Sequence, residues 1–268
     1  MPPSLSIGQS LGDRIRPARY RLLSIHARSR IYLSLDEGAG DAPSSCPLFA
    51  VQPAIGAGPL NWILAPAALA ALPDLLDFRP ALPPAPLYDS ALPPHAAALF
   101  PPALALIRRE RPSLAPPDSL VSLVSPSASA SLPPFQCHRD AFLAPHLPAL
   151  RDSLRTPRLA LSADAPLRAA LHAFRGCGSG STPSGDDFLS GCFLAHHLLH
   201  AAPPPAGWLA AALGHNPISN AFLTLAHAGR IHQPFRQFLL APSLSTFRPL
   251  LHFGHTSGAD LLAAFLLL

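Results

Sequence analysis

The hydrophobic and polar positions divide the chain into a strand-like start and a helix-like remainder. Tyr20-Arg-Leu-Leu-Ser-Ile-His26 and Arg30-Ile-Tyr-Leu-Ser-Leu35 are short runs rich in β-branched, aromatic and apolar residues. Asp36-Glu-Gly-Ala-Gly-Asp41 closes the second run with turn chemistry, and Pro47–Gln52 and Leu60–Leu64 follow, bounded by Pro and Gly. The pattern predicts an antiparallel β-rich unit over roughly residues 15–75. Residues 79–94 carry little periodic signal, and His95–Glu110 predicts a helix interrupted near Pro101 and Pro102.

From Phe135 onward apolar residues recur at three- and four-residue spacing. Arg139–Leu154 reads as helix, dented at Pro145 and Pro148. Asp164–Phe174 has a cap residue followed by Pro166 in the first turn, where its missing N–H costs nothing. Further helices are expected at about 186–200, 207–213, 218–228, 232–240 and 258–267. Residues 112–134 are Ser, Ala and Pro with almost no charge, the composition of a linker or an inserted loop. The expected fold class is α+β. A β-rich N-terminal domain (1–111) and the linker or loop (112–134) precede a helical domain (135–268) that carries a glycine-rich loop.

Composition narrows the function. The 268 residues include 35 Pro, and only 13% are charged against about 25% in an average domain. All 19 basic residues are Arg. Without Lys there is no Schiff-base lysine, no Walker-type phosphate lysine and no lysine general base. A net charge of +4, dispersed along the chain, does not make a nucleic-acid face. No stretch of about 18 apolar residues is free of Pro and charge, so no membrane span is expected. The N-terminus lacks a basic segment leading into an apolar one, so no secretory signal is expected. Cys46, Cys137, Cys177 and Cys192 form no C-x-x-C pair and read as reduced thiols of a cytoplasmic protein.

The richest stretch is Gly176-Cys-Gly-Ser-Gly-Ser-Thr-Pro-Ser-Gly-Asp-Asp187, which runs straight into an apolar helix. Its glycines permit close backbone approach, and a helix start offers N–H groups to an anion such as phosphate or carboxylate. Its spacing is neither that of a Walker loop nor that of a dinucleotide fingerprint. A second loop, Gly254-His-Thr-Ser-Gly-Ala-Asp260, repeats the chemistry: Ser184, Gly185 and Asp187 align with Ser257, Gly258 and Asp260 at a constant offset of 73. Ser-x-x-Asp also matches a capping box, in which Asp187 and Asp260 would serve mainly as helix caps. Asp186 falls outside that reading. Beside Asp187 it is favoured by the helix dipole, and the pair has the oxygen ligands for a hard cation such as Mg2+ or for orienting a substrate amide. The combination points to two helix N-termini converging on one small anionic ligand.

These residues resemble a known family. Gly176-x-Gly-x-Gly-x-Thr-Pro-Ser-Gly-Asp-Asp-Phe-Leu189 is similar to the signature of the AllH-like proteins, whose named members are subunits of oxamate carbamoyltransferase. Pro217-Ile-Ser-Asn-Ala-Phe-Leu-x-x-Ala-x-x-Gly229 and Gly254–Asp260 resemble that family's other two recurring blocks, in the same order. The strong match covers residues 170–262. The resemblance implies a role in allantoin and purine nitrogen catabolism, interconverting oxalurate and phosphate with oxamate and carbamoyl phosphate beside two further kinds of subunit. It carries over Gly176, Gly178, Gly180, Thr182, Ser184, Gly185, Asp186, Asp187, Ser219, Gly254, His255, Ser257, Gly258 and Asp260 as motif positions. The chain departs from the family at Ser181, where an apolar residue is usual, and in the Pro-heavy stretch at 79–134.

Carbamoyl transfer needs donors on the leaving phosphate and a group that polarises the carbonyl. Backbone amides of Gly178–Ser181 and the hydroxyls of Thr182 and Ser184 can supply the first. His255 can supply the second or act as acid or base, so that Asp186, Asp187 and His255 are the catalytic candidates. His196, His197, His215 and His227 show no ligand spacing and read as packing or surface residues. Arg175 has the fork to bind a carboxylate but reads more simply as an exposed charge at a helix end. Cys177 has no partner base nearby in sequence. The alternative to an enzyme is a structural or regulatory subunit whose loop packs two helices or holds a metabolite without turnover.

Overall fold

A computed structural model describes residues 6–8, 18–26, 28–35, 47–55, 57–78, 87–111, 118–125, 132–156, 165–251 and 253–268. The turn expected at 36–41, the cap at Asp164, Cys46, and residues 112–117 and 126–131 of the expected linker lie outside these residues. The chain forms two compact units, one of residues 1–92 and 230–236 and the other of 93–229 and 237–268. The division falls at Leu92/Pro93 and not at 111, and a short return segment completes the first unit.

The first unit is a seven-stranded sheet, β1 (Ser6–Gly8), β2 (Ala18–His26), β3 (Ser29–Ser34), β4 (Pro47–Val51), β5 (Asn61–Ile63), β6 (Leu75–Phe78) and β7 (Leu87–Tyr88), in the order β6-β2-β3-β4-β5-β1-β7. The β2–β3 and β3–β4 pairings are antiparallel, as the strand runs imply, and so are β2–β6 and β1–β5, whose strands β6 and β1 are not among those runs. The sheet is nonetheless mixed, because β4–β5 and β1–β7 run parallel. Alternation sorts the strands onto two faces. Tyr20, Tyr32, Leu48, Ala50, Trp62 and Leu64 pack on one side against Leu69 and Leu72 beside helix α1 (Pro66–Ala70), while Val51 and Ile63 pack on the other with Ala57. Arg30 donates to the carbonyls of Ala70 and Leu72, and Tyr32 to that of Pro73, which fixes the end of α1 on the sheet.

The second unit is helical: α2 (Ala96–Arg109), α3 (Val121–Val124), α4 (Pro134–Leu143), α5 (Leu147–Arg155), α6 (Ala165–Phe174), α7 (Ser184–His200), α8 (Ala206–Ala212), α9 (Pro217–His227), α11 (Leu244–Leu251) and α12 (Ser257–Phe265), with α10 (Gln233–Leu240) running between the two groups of residues. The fold class is therefore α+β, with the β unit at the N-terminal side. Helix α2 is not interrupted at Pro101 and Pro102; both prolines are exposed, and the helix runs through them from Ala96 to Arg109. The expected dent at Pro145 is a 3-10 turn, Ala144–His146, between α4 and α5.

Helix α7 is the axis of this unit. Every residue from Ser184 to His196 is buried, the signature of a helix enclosed on all sides, and α2, α5, α6, α9 and α12 pack around it. Gly191 lets α12 come close, since a Cβ there would run into the carbonyl of Leu261 and the methyl of Ala264. Phe188 stacks on Phe174 of α6, ring centres 4.8 Å apart. Residues 118–125 also belong to this unit. Ser119, Leu120, Val121 and Ser125 are buried, although their composition reads as that of a linker. Among the described residues no helix is long and apolar enough to cross a membrane.

Candidate functional site

The glycine loop leaves α6 at Phe174 and enters α7 at Ser184. Gly178 has φ +120°, and a Cβ there would lie 2.8 Å from the Ser184 amide nitrogen. The second loop is built alike: Gly254 has φ +67° and a Cβ there would lie 2.8 Å from Ser257 Oγ. The correspondence continues into the helices. Gly185 sits directly against the carbonyl of Phe174 and Gly258 against that of Leu250, with no room for a Cβ at either position. Each glycine amide is bonded back into its own loop, Gly185 to the Cys177 carbonyl at 2.7 Å and Gly258 to that of Phe253 at 3.0 Å.

This geometry sets aside the capping-box reading. The N-caps are Pro183 and Thr256, and neither makes a side-chain cap bond. Pro183, with φ −56° and ψ 144°, starts the helix one residue early, so Ser184 falls inside the first turn. The amides of Asp186 and Asp187 are taken by the Pro183 carbonyl, and that of Asp260 by Thr256. The helix-start donors are thus largely used within the helices. The loop differs. Among the described residues, the amides of Gly178, Ser179, Gly180 and Ser181 make no hydrogen bond, and Gly178, Ser179 and Gly180 are exposed.

The two loops meet. Thr182 Oγ1 and Ser257 Oγ are 3.2 Å apart and hydrogen-bonded. Beneath them lie three buried carboxyl groups, Asp186, Asp187 and Asp260. Asp186 Oδ1 accepts from the Gly176 amide at 2.7 Å, and Asp260 Oδ1 from the Leu120 amide at 2.6 Å. The Oδ2 atoms of Asp187 and Asp260 are buried without a hydrogen-bond partner. Burial raises the pKa of all three. Asp187 is lifted well above the usual carboxyl range, chiefly by desolvation and further by the charges of Asp260 and Asp186, with the Ser257 and Thr182 hydroxyls opposing. Asp260 is lifted to about 6, with the Leu120 amide and the Ser184 hydroxyl opposing. The relation is reciprocal: the serine of each motif eases ionisation of the aspartate of the other.

A third helix start joins the group. Asn216 caps α9, accepting from Ile218 and Ser219 N–H, and donates through Nδ2 to the Ser181 carbonyl at 3.0 Å. It holds α9 against the glycine loop and brings the buried Ser219 toward Asp186. Asn216 is absent from the sequence-derived candidates, although Asn-Pro before an apolar run is a helix-start signal. Arg139 has no such local signal. Its buried guanidinium donates to the carbonyls of Asp118 and Ser119 and to Asp140, thereby pinning the segment whose Leu120 amide holds Asp260. Arg139→Met should lower stability by about 2–4 kcal/mol in urea unfolding, because it strands these buried acceptors.

Of the remaining candidates, Gly176 reaches this group through its amide on Asp186, and Arg175 eases ionisation of the same carboxyl. His255 is exposed and makes no hydrogen bond among the described residues. Gly176 and Gly180 lie on the exposed loop with positive φ. Arg175 is exposed and donates to the Leu213 carbonyl at 3.1 Å. Burial pushes the Cys177 thiol up, against a thiolate nucleophile. His196 and His197 engage the carbonyls of Ala202 and His227 as packing residues. Among the described residues no three His, Cys, Asp or Glu side chains are arranged to hold a metal ion.

No curated protein and no solved structure matches this chain. One protein family does, and the matched residues include both glycine loops, the start of α9 and the three aspartates. Over residues 174–268 the chain is similar to the family described as oxamate carbamoyltransferase subunit AllH.

Proposed function

We propose that this chain is a subunit of a carbamoyltransferase of the oxamate type, cytoplasmic, assembled with other subunits, and that its paired glycine loops bind the small anionic substrate. The observation that carries the reading is the meeting of the two loops at Thr182 and Ser257, above buried carboxyls and beside unbonded loop amides. Amides of Gly178–Ser181 face the phosphate of carbamoyl phosphate or the carboxylate of oxamate or oxalurate, with the hydroxyls of Thr182, Ser184 and Ser257 as further donors. Without Lys in the chain, no ammonium group is available to an anion here.

In this reading the amide nitrogen of oxamate attacks the carbamoyl carbon. The N–C bond forms, the C–O bond to phosphate breaks, and phosphate departs with the electron pair. Asp187 takes the proton lost by the attacking nitrogen, since burial and the neighbouring Asp260 and Asp186 favour its protonated form. Asp186 orders the loop through the Gly176 amide, and His255 polarises the carbamoyl carbonyl from the loop edge.

Phosphate release from carbamoyl phosphate with oxamate, measured on the chain together with its co-purifying subunits, tests this. Asp187→Asn should lower the rate by about 100-fold or more with no loss of melting temperature, and Asp186→Asn, which keeps an oxygen for the Gly176 amide, should lower it less. Full activity of both Asp186→Asn and His255→Ala would refute the site assignment. Retained oxamate binding with no turnover in any assembly would favour the second reading, a regulatory subunit that binds the metabolite.

A further inference from the structure

Resting on that reading, we infer that the connection between α8 and α9, residues 213–216, is a clamp on the glycine loop. Asn216 is its positioning residue: it holds the amides of Gly178–Ser181 in the array that receives an anion. The clamp grips the loop at both ends. At the entry, the Arg175 guanidinium donates to the Leu213 carbonyl at 3.1 Å. A Cβ at Gly214 would lie 3.3 Å from Cγ and Cδ of Arg175, so the arginine stem runs along the connection. At the exit, Asn216 Nδ2 donates to the Ser181 carbonyl at 3.0 Å. The amides of Gly178–Ser181, which make no hydrogen bond among the described residues, lie between these two points.

The connection is itself fixed. Asn220, one turn further along α9, accepts from the Gly214 amide and donates to the Gly214 carbonyl, both at 2.9 Å. Asn216 uses its other end locally, where Oδ1 accepts from the Ile218 and Ser219 amides at 3.0 and 3.3 Å and caps α9. One uncharged side chain with both an acceptor and a donor thus ties a helix start to the loop. Capping needs only the oxygen, and Ser or Asp would serve it as well. The amide donor is what the loop requires. Gly178 and Gly180 hold positive φ, and glycine loses more conformational freedom on ordering than any other residue. An array of amides built on such residues binds an anion well when a neighbouring element fixes its span beforehand.

Asn216→Ser separates the two tasks, because serine caps a helix start about as well as asparagine and lacks the amide that reaches Ser181. Calorimetric titration of the full chain with inorganic phosphate should show about tenfold weaker binding in this variant. Its melting temperature should stay within about 2 °C of the unaltered chain. Asn220→Ala removes both bonds to Gly214 and leaves the bond to Ser181 in place, so it should weaken phosphate binding by a smaller factor. Equal phosphate affinities in the unaltered chain and Asn216→Ser would overturn the clamp and leave the anion site standing. Weaker binding that comes with a fall in melting temperature of about 5 °C or more, while Asn220→Ala binds as the unaltered chain does, would reduce Asn216 to a structural part and overturn the clamp. Absence of phosphate binding to the unaltered chain would overturn the anion site, and with it the role given to Asn216.

Discussion

Asp260→Asn is expected to make the chain more stable above pH 6, by about 1–3 kcal/mol, while impairing the proposed activity. The side chain is fully buried and its carboxyl is lifted from 3.8 to about 6, which corresponds to roughly 3 kcal/mol. Between the pKa of the unfolded chain, near 4, and the folded value, the native state holds more protons than the unfolded one. Stability therefore falls as pH rises through that window, and the penalty is complete above about pH 6. Asparagine keeps an oxygen for the Leu120 amide and carries no charge, so it removes the penalty. Asp187→Asn should act in the same direction, its carboxyl also being raised by burial and by Asp260 and Asp186. Melting curves at pH 5 and pH 8 check both variants: the unaltered chain should lose more stability between those values than either variant. Destabilising groups kept at a site are an expected cost of function.

Gly185→Ala and Gly258→Ala should each lower stability by about 1–3 kcal/mol, against the ordinary preference of helices for alanine over glycine by about 1 kcal/mol. The methyl would enter the space of the Phe174 carbonyl in the first case and of the Leu250 carbonyl in the second. Both obstacles are backbone, so relief requires displacing a helix end and not merely rotating a side chain. The displacement would also separate Thr182 from Ser257. Thermal melts should fall by about 2–4 °C per kcal/mol lost. An unchanged or raised melting temperature for either variant would contradict the close approach.

The strands with alternating apolar runs were legible because period two and the flanking turn residues both survive in the sequence. The three short ones were not: Ser6–Gly8, Leu75–Phe78 and Leu87–Tyr88 offer two to four residues each, too few for a period. Nor does a local pattern tell a parallel neighbour from an antiparallel one, which is how the β4–β5 pairing escaped. Proline misled at Pro101 and Pro102, where α2 runs on without a break, and α11, which has Pro249 inside it, is absent from the expected helices. Residues 119–125 have the composition of a linker, but Arg139 and Asp260 hold them in the second unit through contacts distant in sequence.

At the site, the 73-residue echo already pointed to Ser184, Gly185, Asp187 and their counterparts. What it could not give was the role of the aspartates. A capping box and a buried carboxyl cluster share the spacing Ser-x-x-Asp, and Pro183 decides between them by starting the helix early. Ser219 belonged to a recognisable block, whereas Asn216 and Arg139 act through partners 35 and 20–21 residues away.

The most direct test of the account is where an anion lands. Oxamate titrated into the 15N-labelled full chain should shift the amide signals of Gly178–Thr182 first, with those of Ser219 and Gly254–Ser257 moving at the same ligand concentrations. Shifts confined to one loop, or located in the β unit while both loops stay silent, would contradict a shared site at the meeting of the two glycine loops.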